Sequence, residues 1–79
     1  MKPEQEREYG EQPIDALMLE LDLTNDDLVC ASTEQVTHKM VSKARKGRWL
    51  TTAIRQKVLR AFNAASGQNV ALDALFNYR

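Results

Sequence analysis

Cys30 is the chain's one cysteine, so no intrachain disulfide can form, and no Cys/His spacing resembles a zinc site. The two devices that staple small secreted domains are thereby excluded, and a reducing cytoplasm is the expected setting. No apolar run approaches the roughly 20 residues that cross a bilayer, and the opening MKPEQEREYGEQP lacks the apolar core of a signal peptide. A chain with no membrane segment and no export signal is expected. Alternating β-branched runs and hairpin dipeptides are missing, which removes strands from the expected fold. Aromatic residues make up only 6% of the chain and are not interleaved with basic residues, the arrangement that stacks unpaired RNA bases. No nucleophile, base and orienting group converge on a readable motif, so neither an enzyme nor a cofactor is expected. The 79 residues suffice for one domain. Some sixteen apolar side chains at ~2 kcal/mol each give a gross hydrophobic term of about 30 kcal/mol before conformational entropy is subtracted. Dimerisation would help so small a core.

Net charge is zero, which alone argues against a nucleic-acid partner, but the charges are segregated along the chain. Residues 1–27 hold nine acids (Glu4, Glu6, Glu8, Glu11, Asp15, Glu20, Asp22, Asp26, Asp27) against Lys2 and Arg7. Residues 36–60 hold eight bases (Lys39, Lys43, Arg45, Lys46, Arg48, Arg55, Lys57, Arg60) and no acid. Like charges in one stretch repel one another unless a counter-charge answers them. The stretch therefore reads as a surface that meets a phosphate backbone, with an ordinary basic helical surface as the plain alternative.

Residues 1–12 are polar, lack apolar periodicity and are expected to form a disordered acidic tail, leaving 13–79 as the domain. Ile14, Leu17, Met18 and Leu21 follow a helical period behind Pro13, a good first-turn residue. Thr24 can cap a second helix of about Thr24 to Ala31, with Asp26 and Asp27 at the positive end of its dipole. Ser32-Thr33 then offers another cap, with Gln35 as the reciprocal partner of Ser32, so a third helix is expected close behind. Its inner positions are Val36, Met40, Val41 and Ala44, and Gly47 ends it. Gln35, His38, Lys39, Ser42, Lys43, Arg45 and Lys46 are left facing outward. Thr51 or Thr52 caps a fourth helix with Ile54, Val58, Ala61, Phe62 and Ala65 inside. VALDALF makes a short last helix that brings Leu72, Leu75 and Phe76 to the core. The expected fold is an all-α compact bundle of about five short helices.

Two short helices with a tight turn between them, the second basic on its outer face, outline a helix-turn-helix. The second helix must enter a major groove about 12 Å wide, which demands an exposed face of hydrogen-bonding side chains without negative charge. The face from Gln35 to Lys46 meets that demand, apart from Glu34 at the helix start. Glutamine pairs with adenine and lysine with guanine, while flanking bases neutralise phosphates; about five such contacts give log K against log salt a slope near −4 to −5.

The chain here resembles the lambda-repressor-like (Cro-type) helix-turn-helix family. LTNDDLV is similar to that family's opening of helix 2, VTHKMVSKARKG to its recognition helix with the closing glycine, and VALDALF to its last helix. The likeness spans Ile14 to Phe76. CASTEQ stands in place of the customary turn glycine and is slightly longer, and Arg45 stands where the family often has an acid. The resemblance implies that Asn25 grips a phosphate, that His38 and Lys39 are principal base readers with Ser42 and Lys43 secondary, and that Lys46 and Arg48 meet phosphates. Thr37 joins the phosphate set, and Gln35 joins the base readers if the helix starts early. His38 also reads as a plain surface histidine.

Other residues read structurally. Trp49, beside a helix junction, is expected to plug the core. Cys30 is expected to be a small core residue, and Asp26-Asp27 to be helix-start acids. The function expected is a sequence-specific, double-stranded-DNA-binding regulator acting as a homodimer, with Phe76 and Tyr78 offered for the dimer contact. The alternative is a protein-interaction module, an antitoxin or adaptor on the same fold, whose acidic N-terminal segment meets a basic partner.

Overall fold

Proline pre-sets the backbone angle of a first helical turn and has no amide hydrogen to leave unpaired, and the first helix, α1, starts on it at Pro13–Glu20. The computed structural model describes residues 10–77. α1 buries Ile14 and Met18 and stops because Asp22 takes a left-handed backbone (φ 58°). The Leu23 amide then donates to the Met18 carbonyl at 2.8 Å, closing the helix end as a left-handed residue commonly does. Leu21 lies past that end and is 39% exposed, so it does not continue the inner face as its spacing predicts.

Thr24 caps α2 (Asn25–Ala31) through a reciprocal box. Its hydroxyl accepts from the Asp27 amide, and the Asp27 carboxylate accepts from the Thr24 amide. Two orphan amides are satisfied at once. α2 buries Leu28, whereas Cys30, expected in the core, is exposed. It falls on the outer side of a helix too short to bury more than one stripe.

The third helix does not begin where the sequence suggests. α3 spans His38–Lys46, capped by the Thr37 hydroxyl accepting from the Met40 amide at 3.1 Å. Ser32 closes a local turn instead, its hydroxyl donating to the Glu34 carbonyl and accepting from the Glu34 amide. Residues 32–37 are therefore a bent, irregular connection and not a helical turn. Val36 is buried from within it. Gly47 ends α3 with φ 85°.

α4 (Thr52–Ser66), capped by Thr51, buries Val58, Ala61 and Phe62 and ends at Gly67. α5 is confined to Leu72–Leu75 and buries Leu75. Val70 and Ala71 precede it. The five helices form an all-α bundle, with no strand among the described residues. α4 packs on α2, α3 and α5, while α1 packs on α3 and α5. α3 thus has neighbours in α1, α2 and α4.

The core joins Ile14, Met18, Leu28, Val36, Val41, Ala44, Leu50, Val58, Ala61, Phe62, Leu75 and Phe76. Phe76, offered above for a dimer contact, is only 5% exposed and belongs to this cluster, and Tyr78 lies outside the described residues. Gln12, assigned above to the tail, is 2% exposed. Its amide donates to the Arg45 carbonyl, its side-chain nitrogen to the Gly10 carbonyl, and its side-chain oxygen accepts from the Asn77 amide at 2.6 Å. One buried glutamine ties the chain before α1 to the end of α3 and the chain after α5. The expectation of a tail over residues 1–9 lies outside the described residues.

Candidate nucleic-acid interface

A helix advances about 100° per residue. On α3 this puts His38, Ser42, Lys46, Lys39 and Lys43 within one arc of about 140°, opposite the buried Val41 and Ala44. His38, Lys39 and Lys46 are exposed, and Ser42 and Lys43 half-buried. α3 carries no acid and has Lys43, Arg45 and Lys46 in its last turn, where cations suit the negative end of the dipole. Thr37, at the cap, and Arg48, just past Gly47, are exposed at the two ends of the same helix. These residues form one continuous surface. Gln35 is exposed too, but it sits in the connection ahead of Thr37, so the capping-box route that put it on the helix is corrected.

Asn25 opens α2, and its Oδ1 accepts from Arg45 Nη1 at 2.8 Å. The Asn25 side-chain nitrogen is a donor group on the same amide. Arg45 itself does not face outward as its spacing suggests. Its Nε donates to Asp15 Oδ1 at 2.6 Å, with both side chains only 20% exposed. The guanidinium joins α1, α2 and α3.

The acid-free stretch of the sequence is not acid-free in space. Asp26 Oδ1 lies 3.0 Å from His38 Nε2, and Glu34 receives Arg60 Nε and Nη2 at 2.6 and 2.7 Å. Arg60 is thus committed to a forked ion pair and adds little to a general positive field. The hydrogen bond from Arg60 holds the Glu34 carboxyl below its usual range and raises the Arg60 guanidinium. The hydrogen bond with His38, then that from Cys30, lowers Asp26 in the same way. The nearby Asp26 charge pushes the Cys30 thiol up, with Sγ donating to Asp26 Oδ2 at 3.6 Å. A shallow depression beside α3 gathers Glu11, Asp15, Asn25, Ser42, Arg45 and Lys46. Among the described residues no group of three or more His, Cys, Asp or Glu side chains is placed to hold a metal ion.

The residues missed in sequence are the acids that answer the bases: Asp15, Asp26 and Glu34. Their signal was present in the segregation itself, because a small domain folds its acidic first third back on its basic middle. Trp49 is half-buried between α3 and α4. No helix among the described residues is long and apolar enough to cross a membrane. No family model, curated protein or solved structure matches the chain. The functional reading therefore rests on the chain's own residues.

Proposed function

We propose that this chain is a helix-turn-helix regulator that binds double-stranded DNA with sequence preference, laying α3 in the major groove. The observation that carries the reading is the α3 arc of His38, Lys39, Ser42, Lys43 and Lys46, which holds no acid of its own and lies opposite the buried Val41 and Ala44. His38 and Lys39 at the helix start are the base-reading candidates, with Ser42 and Lys43 one turn further. Thr37, Asn25, Lys46 and Arg48 flank them as phosphate partners. One helix reads too few base pairs for useful selectivity, so the reading includes a homodimer on paired half-sites. A mobility-shift titration against mixed genomic duplexes tests it: salt-sensitive binding is expected, lost in the Lys39→Glu/Lys43→Glu double variant. Binding untouched by that double reversal overturns the assigned surface.

A second reading is favoured by α1. Leu19 is 66% exposed and Leu21 39%, beside Glu20 and Asp22, a pairing that suits a basic protein partner with an apolar anchor. Capture of a stoichiometric protein partner by a chain that shows no salt-sensitive DNA binding would favour an adaptor or antitoxin role.

A further inference from the structure

His38 stands in the first turn of α3, and its contact with Asp26 bridges two helices across twelve residues of sequence. Packing of α2 on α3 creates this pair. Both partners remain open, with side chains 61% and 68% exposed. A carboxylate only accepts hydrogen bonds, whereas a neutral imidazole has one donor and one acceptor nitrogen. With Nε2 at 3.0 Å from Asp26 Oδ1, a neutral His38 carries its proton on Nε2. Nδ1 is left as an acceptor. The other Asp26 oxygen accepts from Cys30, so the carboxylate is oriented from two sides, and its lowered pKa keeps it ionised.

An acceptor in the major groove complements the exocyclic amines of adenine and cytosine. It opposes guanine O6 and N7 and thymine O4, which are themselves acceptors. We propose that Asp26 is a positioning residue that fixes His38 as an acceptor and so makes the start of α3 select an adenine or cytosine amine. The inference rests on the DNA reading above. It adds a specificity determinant that does not touch DNA.

The full chain at pH 8, where imidazoles are ordinarily neutral, supplies two readouts. His38 is the only histidine, so long-range ¹H–¹⁵N spectra report its tautomer without ambiguity. Nε2–H is expected in the native protein, with a larger Nδ1–H share in Asp26→Asn, whose amide can donate as well as accept. A native ring mainly in the Nδ1–H form, or a tautomer balance identical in the variant, overturns the positioning. Selection from random duplexes is expected to show one position favouring adenine or cytosine about fivefold to tenfold, the worth of one hydrogen bond. That preference falls to about twofold in Asp26→Asn. A preference unchanged by Asp26→Asn while lost in His38→Ala overturns the proposal and leaves the DNA reading standing. Native protein that selects no sequence overturns both, whatever the spectra show. Circular dichroism of each variant confirms that the bundle is intact.

Discussion

At the scale of single residues, backbone geometry constrains the chain more tightly than side-chain identity. Gly47 is buried and left-handed, and a Cβ there would overlap the Gly10 carbonyl. The residue that ends α3 is also the seat on which the chain before α1 rests. Gly47→Ala is expected to cost at least about 2 kcal/mol, read as a lower urea midpoint, since strain and backbone overlap add. Asp22 is the converse case. A non-glycine at φ 58° beyond a helix C-terminus bears both a conformational penalty and an unfavourable charge at the negative end of the dipole. Asp22→Gly is expected to stabilise by up to about 1 kcal/mol, seen as a raised thermal midpoint. A lowered midpoint would show that Asp22 holds a contact worth more than this strain. Gly47 as a helix stop was legible in the sequence. Its contact with Gly10 was not, because a close approach between segments so far apart leaves no local pattern.

Among elements, the helices were legible wherever a capping residue met an apolar period. Thr24 and Thr51 are observed caps, and Pro13 is the observed start of α1. The connection between α2 and α3 was not legible, because Ser32 and Thr37 compete as caps and only tertiary contacts decide. Val36 must reach the core from the connection and Glu34 must meet Arg60, so the helix waits for Thr37. Gln35 is left out of α3 for the same reason. Two ion pairs then tie elements together. Arg45→Ala, which removes the polar link from α3 to α1 and α2, is expected to cost about 1.5–3 kcal/mol in chemical denaturation, the range for hydrogen bonds to charged groups. Glu34 has a folded pKa below its unfolded one. Its contribution is therefore present above the ordinary glutamate value and lost as pH falls through the lower folded value. Thermal midpoints followed downward from about pH 5 should fall less in Glu34→Gln than in the native chain. Parallel curves would show that the Arg60 pair contributes nothing to folding.

Across the whole molecule, zero net charge conceals a bundle whose acids on α1, α2 and the following connection fold against α3 and α4. The segregation was legible in the sequence, and so was the face of α3, because a glycine-terminated helix without acids leaves few arrangements. What could not be read was how many bases the acids consume. Arg45 and Arg60 are taken up and His38 faces Asp26, and Lys39, Lys43 and Lys46 are the lysines of the proposed groove surface. The expected number of phosphate contacts drops from about five to about three, and the salt slope becomes shallower in proportion. The measurement that tests this account most directly is the affinity for duplex DNA as a function of salt concentration. A slope of log K against log salt near −3 is predicted, flattened in Lys39→Glu/Lys43→Glu. A slope near zero, or one unchanged by that double reversal, would contradict it.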